Sequence, residues 1–589
     1  SMTSDRYDRQ VRLWGDEGQS AIGEAQVCVL GSSALVTEIL KSLVLAGVNS
    51  FTIVDDSRVT EEDLGNNFFL EESHLGKPRG EAALRLLKEL NPSVLGTFID
   101  RSPSSLDRDH LDQLTGKFSV VIGVNLPESH AGPLSAALYN HVPFILARVY
   151  GFLGFLRICV KEHNIANSHP EHALPDLRLD RPFPGMAELI DSIEMEKMSG
   201  EEVRHTPYLI LYAIALRKYR ESLSDPTAFP STYAERKSLL KHVMDLSRDK
   251  ASGGSDENFD QARDALNRSI HRTEVPPSVR RVLSDEKCSG RSAPSSSFWL
   301  LCTALRSFVD RHGVLPLSGE LPDMASDTIS YTRLVSIFHE KAQADANEVY
   351  EEILRLQKLF PCKFDRSPQP TPTHSPNSVE RMETDEEKSN PAGGPPTSPS
   401  WTPSLSREAV ARFCRNAASI GVQTGSPAAS QQGHSFQQII DKIVSEDEAE
   451  LKERKVTPAI WLLLLRAADR FHDEKDRFPG PCDSDVADLR QRVANIVSET
   501  LDRTRQKRAD EGEEEETHEG VKAEVIRRIS DGVIREMCRY RASEPHVVAS
   551  LLGGIAAQEV IKLATKQYTP IDNTLIYDAH TFTIQTFAI

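Results

Sequence analysis

The sequence contains no C-x-x-C pair. Its eight cysteines, at positions 28, 159, 288, 302, 362, 414, 482 and 538, stand singly, which excludes a zinc ribbon or a dithiol-exchange motif and points to a reducing compartment. No run of about 18 uncharged apolar residues is present, so no membrane span is expected, and the polar opening stretch SMTSDRYDRQVRLWG has no secretory character. Basic residues are not in excess: 69 Lys and Arg stand against 87 Asp and Glu, a net charge of -18. Neutralising phosphates needs a basic surface, so nucleic acid is excluded as an expected partner. The expected setting is cytoplasm and nucleus, with a protein as partner and no membrane.

The chain has 589 residues, 39% hydrophobic and 26% charged, enough for about two to four domains of 100–200 residues each. Its most informative stretch is AQVCVLGSSALVTEILKSLVLAGVNSFTIVDD, from Ala25 to Asp56. An apolar strand, Val27 to Leu30, meets a glycine; a helix follows with Leu35, Ile39 and Leu43 on one stripe; a second strand, Phe51 to Val54, ends in Asp55. This is a βαβ unit with an acid where a ribose is usually held. Phosphate-cradling glycines are scarce, however. Of the three in G-x-G-x-x-G only Gly31 is present, with Ser33 and Val36 at the second and third positions. The βαβ unit and Asp55 admit an NAD(P)-dependent oxidoreductase as an alternative; the missing glycines count against it, and a sheet retained for packing is the favoured reading.

A further periodic helix (GEAALRLLKEL), a strand (FSVVIGV) and the apolar run VPFILARVYGFLGFLRICV extend the alternation, which predicts a doubly wound parallel sheet over roughly the first 160 residues. From about Ala166 long helical patterns dominate, among them TPYLILYAIALRKYRESL, SFWLLCTALRSFVDRHG and AIWLLLLRAADRFHDEKDRFPG. Phe298, Ala304, Phe308 and Pro316 recur as Trp461, Ala467, Phe471 and Pro479 at a constant offset of 163, consistent either with duplication or with two ordinary amphipathic helices closed by proline. The Pro/Ser-rich tract 366–404 and the charge run 505–520 are expected to be disordered inserts. The last segment, EPHVVASLLGGIAAQEVIKLATKQYTPIDNTLIYDAHTFTIQTFAI, reads as a helix and two strands. The expected organisation is therefore 1–165 and 521–589 as one α/β domain, interrupted by a helical insertion over 166–520.

The stretches YDRQVRLWGDEGQSAIGEAQVCVLG, LGNNFFLEESHLGKPRGEAALRLLKELNP, SHPEHALPDLRLDRPFP and LLGGIAAQEVIKL closely resemble the regulatory subunits of the heterodimeric enzymes that activate the ubiquitin-like modifier Nedd/Rub, within the ubiquitin-activating superfamily. The resemblance covers nearly the full length outside the two inserts. It implies a Rossmann-like adenylation domain of the ThiF/MoeB type with an insertion that corresponds to the catalytic-cysteine domain.

Active members of that superfamily have a Gly-rich loop, an Asp for ribose, an Asn-x-x-Arg-Gln segment, a Gly-x-x-Lys segment and a magnesium-binding Asp. Here Asp55 survives, but Asn67 stands in the arginine position, Arg79 in the lysine position and Asn125 in that of the metal-binding acid, and a neutral amide is a poor magnesium ligand. The resemblance thus implies a degenerate pocket at Gly31, Ser33, Val36, Asp55, Asn67, Arg79 and Asn125, with no cofactor and no metal bound by this chain. The family's catalytic Cys-Thr has one counterpart, Cys302-Thr303, inside an apolar helical run where a core thiol is expected. By resemblance ATP, magnesium and the catalytic cysteine belong to a catalytic subunit, and the modifier and a conjugating enzyme are further partners. Arg9 of YDRQ matches the arginine that reaches across to the partner's ATP phosphates; a salt bridge to Asp8 or Asp16 is its alternative. Partner contacts are carried over to His205, Tyr208, Asp323 and Tyr331. Two rivals are the corresponding SUMO-pathway subunit, which would lack most of the helical insertion, and a pure scaffold in which Arg9 has no catalytic part.

Overall fold

The computed structural model describes residues 6–106, 108–166, 174–247, 256–360, 405–427, 434–446, 456–511 and 518–589. Two compact units result, one from 1–163 with 422–589, the other from 164–421.

The first unit opens with helix α1 (Asp8–Glu24), then β1 (Gln26–Leu30), α2 (Ala34–Ala46) and β2 (Ser50–Val54), the βαβ unit read from the sequence. A short helix α3 (Glu61–Asn66) and helix α4 (Arg79–Leu90) lead to β3 (Leu95–Ile99); β4 (Val120–Val124), α5 (Glu128–Leu138), β5 (Phe144–Tyr150) and β6 (Leu153–Cys159) follow. Val27, Cys28, Val29 and Leu30 have no exposed surface, as a strand covered on both faces requires.

The second unit is mainly helical. Its longest helices are α6 (Tyr208–Leu223), α7 (Ser297–His312) and α8 (Thr328–Leu359), and its core gathers Leu209, Leu211, Tyr212 and Phe338. The chain then re-enters the first unit with α9 (His434–Ser445), α10 (Pro458–Lys475), α11 (Asp483–Glu511), α12 (His518–Arg528), α13 (Asp531–Tyr540), α14 (His546–Thr565), β7 (Thr574–Asp578) and β8 (Thr583–Phe587). The helices with the offset-163 pattern, α7 and α10, lie one in each unit.

Spatially the sheet runs β8-β7-β6-β5-β4-β1-β2-β3. Strands β1 to β5 are parallel neighbours, while β5/β6, β6/β7 and β7/β8 pair antiparallel. The sheet is thus mixed where a parallel one was expected, because the long apolar run 142–160 turns back on itself at Gly151 (φ 59°) as a hairpin instead of crossing over.

The expected insertion 166–520 is divided. Only 164–421 forms the separate unit; helices α9 to α13 bury their apolar faces with Tyr150, Leu153 and Ile576 of the sheet. Two polar contacts fasten them: Arg148 on β5 pairs with the buried Asp469 on α10, and the Trp461 indole N–H donates to Asp578 at 3.1 Å. Of the expected disordered inserts, 366–404 lies outside the described residues. The other is corrected at both ends, since α11 continues through 505–511 and α12 begins at 518. Arg, Lys, Ala and Glu are good helix formers whatever their charge, and the Thr504 hydroxyl, 3.0 Å from Gln437, ties this end of α11 to α9.

Helix α14, with 20 residues and a mean hydropathy of 1.5 over its most apolar window, is long and apolar enough to cross a bilayer by composition, although Glu559 and Lys562 interrupt it. Its apolar face is used against α2: Ala549, Leu552, Ala556 and Val560 join Leu35, Ile39 and Leu43 in one core. The closest approach is at Gly553, where an added Cβ would lie 2.7 Å from Glu38 Cβ and 3.1 Å from Ile39 N. Gly554 faces open space. Gly553→Ala is therefore expected to lower stability by about 1–3 kcal/mol through overpacking, whereas Gly554→Ala should leave it unchanged or raise it by about 0.5–1 kcal/mol. Urea unfolding of the two variants followed side by side checks this; equal midpoints would contradict it.

Candidate functional site

In a doubly wound sheet the ligand crevice opens at the carboxyl ends of the strands where their order reverses, here between β1 and β4. Gly31 ends β1 with φ 117°, and an added Cβ would approach the Val124 carbonyl to 3.2 Å, so glycine is required by close passage of the two strands. Val36 is fully buried in the core.

The charged groups of the crevice satisfy one another. Asp55, 5% exposed, accepts from the Ser32 hydroxyl through one carboxylate oxygen and from Ser57 Oγ through the other at 3.1 Å. Arg79 spans the gap: Nε donates to Ser32 Oγ at 2.9 Å, one terminal nitrogen lies 2.8 Å from Asp63 Oδ1, and the other is 3.5 Å from Asp55. Asp63 is also the capping-box partner of Thr60 at the start of α3. Asn67 is turned inward, its Oδ1 accepting from Thr37 Oγ1 at 3.1 Å and from the Phe69 N–H at 3.0 Å. Asn125, at φ 54°, accepts the Val149 N–H at 3.1 Å and donates to Ser33 Oγ at 3.2 Å. Ser33 in turn donates to Glu544 at 2.9 Å.

The structure brings Gly31, Ser33, Asp55, Arg79 and Asn125 to this crevice, while Asn67 and Val36 point into packing. The arrangement presents the carboxylates of Asp55, Asp63 and Glu544 with Arg79 already engaged by the first two. Ser32, Asp63 and Glu544 were not anticipated from sequence. Glu544 lies 509 positions from Leu35, and no local pattern marks such a pairing.

Outside the crevice, Arg9 is exposed on the first turn of α1. Its nearest expected ion-pair partner, Asp8, is taken by Arg12 at 2.8 Å, so the Asp8 bridge is not formed by Arg9. Cys302 is fully buried in α7 and hydrogen-bonded to the free thiol of Cys288, in keeping with a core role. In the helical unit His205 is exposed and its carbonyl accepts the Asp327 N–H at 3.2 Å. Tyr208 is 4% exposed, edge-on to Tyr212 at 5.6 Å. It lines, with the exposed Asp323, a groove of about 1180 Å³. Tyr331 is half-buried on α8.

Comparison with known proteins fits this geometry. The family model described as "ThiF family" matches residues 7–589. The chain belongs to the ThiF family. Within it, the chain is 43% identical to the NEDD8-activating enzyme E1 regulatory subunit of Caenorhabditis elegans over 99% of its own length and 98% of that protein's. It is 35% identical to the protein of the same name from Xenopus laevis, again over 99% and 98%, and 34% identical to that of Danio rerio over 99% and 98%. It is a member of this group of ThiF proteins, the NEDD8-activating enzyme E1 regulatory subunits. The oxidoreductase alternative is thereby overturned: the family match runs through the helical unit and both halves of the sheet.

Removing Arg79 would leave two largely buried carboxylates, Asp55 and Asp63, without their cation. Arg79→Ala is expected to cost about 3 kcal/mol, and a second change, Asp63→Asn, to recover part of that loss. Chemical denaturation of the single and double variants tests it; a single variant as stable as the parent would contradict the ion-pair account.

Proposed function

We propose that the chain works as the regulatory half of a heterodimer that activates a NEDD8-type modifier, with ATP, magnesium and the catalytic cysteine all on the catalytic partner. The carrying observation is a contrast of arginines. Arg79, in the crevice, is consumed by Asp55 and Asp63, whereas Arg9 is held out on an exposed helix turn with Asp8 engaged elsewhere. A guanidinium keeps its charge at any working pH, and its planar fork binds phosphate oxygens bidentately, so Arg9 suits an anionic group presented by another chain.

In this reading the sheet unit is the structural counterpart of the partner's adenylation domain, and the dimer needs its surface but not its pocket. The helical unit, with no thiol displayed by Cys302, helps to enclose the modifier, and His205, Asp323 and Tyr331 are its proposed contacts with the catalytic partner. A conjugating enzyme would meet the complex transiently to receive the modifier. Arg9 acts by binding and orienting the partner's nucleotide; the acid and thiol chemistry proceeds without residues of this chain.

The test is modifier-dependent ATP–pyrophosphate exchange by the reconstituted pair. Arg9→Ala is expected to slow exchange about 10–100-fold, the loss of one charge-assisted contact, with Arg9→Lys in between and heterodimer formation unchanged by gel filtration. Normal exchange with Arg9→Ala would leave a scaffold role only.

A further inference from the structure

Helix α2 begins at the mouth of the crevice, and its N-terminal N–H groups point to where an anion would be bound. Ser33 occupies the N-cap position, yet its side chain does not cap the helix. The capping oxygen comes from the far end of the chain. Glu544 Oε1 accepts from the Leu35 backbone N–H at 2.8 Å and from Ser33 Oγ at 2.9 Å. The backbone around Glu544 is fixed too: Asn66 Nδ2 donates to its carbonyl at 3.2 Å, and the Gly151 N–H donates to the carbonyl of Ser543 at 2.7 Å. The two residues that turn the chain from α13 into this segment, Arg541 and Ala542, both adopt positive φ, 49° and 57°, a conformation non-glycine residues take only when their surroundings enforce it.

Geometry and chemistry coincide here. The carboxylate sits between the end of β1 and the end of β4, with Ser33 following one strand and Asn125, donating to Ser33 at 3.2 Å, following the other. It receives a backbone N–H at the helix start and a hydroxyl, a donor set that a phosphate would also accept. Burial pushes the carboxyl of the half-buried Glu544 above its ordinary range, against the lowering effect of the Leu35 N–H, Ser33, Asn125 and the nearby Arg79.

We propose that Glu544 is an internal stand-in for a phosphate group, and that the segment Arg541–Pro545 is an autoinhibitory latch closing the crevice in cis. Loss of the glycine loop and gain of the latch are then separate devices: the first weakens a phosphate cradle, the second fills what is left of it. The inference deepens the reading of the crevice as vestigial but does not involve Arg9, so its failure and that of the arginine-in-trans account are distinguishable.

The test uses the full chain with Glu544→Ala and the isosteric Glu544→Gln, inorganic phosphate being the probe and chloride at matched ionic strength the control. The expected result is that wild type gains no more melting temperature from phosphate than from chloride. Glu544→Ala melts several degrees lower in chloride and recovers at least half of that deficit in phosphate. Phosphorus NMR titration should give Glu544→Gln and Glu544→Ala at least tenfold tighter phosphate binding than wild type, a readout that stands even if Glu544→Ala folds poorly. An alanine variant that melts like wild type would overturn the latch. Two variants that bind phosphate no better than wild type would overturn the stand-in, leaving a helix cap.

Discussion

The sheet unit depends on the packing of α14 against α2, two helices some 510 positions apart along the chain. Both are strongly apolar: α2 packs on α14 and α4 and shares a core with β1 and β2, and α14 is covered by α2, α1 and the sheet. Their approach is close enough that Gly553 admits no Cβ, and the Glu38 carboxylate beside it is met by Lys41 and by His546 of α14. Without this seam the N-terminal strands would have an uncovered face, and β7 and β8 would have no reason to extend the sheet at its far edge. The long helical excursion is tolerated because the closing contact is large and apolar.

A nucleotide crevice at a switch point needs unsatisfied donors aimed outward and room in front of them. Here the polar side chains of the crevice bond to one another. Asp55, Asp63, Ser32 and Arg79 form one network, Asn125 and Ser33 lead to Glu544, and Asn67 braces the 66–69 turn. Buried polar groups must find protein partners or cost stability, and Arg79 and Asn125 supply such partners to Asp55, Asp63 and Ser33.

The elements of the βαβ unit could be read from sequence because their apolar periodicity and the Gly31 turn are local. The final helix and two strands were readable for the same reason. Three features were not. The antiparallel return of β6 looks like a continuation of β5, since both strands are buried on both faces and carry no alternation. The division of the helical region at 421/422 depends on which core each amphipathic helix joins, and periodicity says only that a face is apolar. Within the site, the degenerate positions follow from the absent glycines and changed charges, but the partners that satisfy them, above all Glu544, come from long-range closure.

The central claim is that nucleotide is held by the catalytic partner and never in this chain's own crevice. Calorimetric titration of ATP with magnesium into the isolated chain, and then into the reconstituted heterodimer, tests it most directly. The account predicts no saturable heat from the chain alone and one site per heterodimer. Stoichiometric binding to the isolated chain, or two sites per heterodimer, would contradict it.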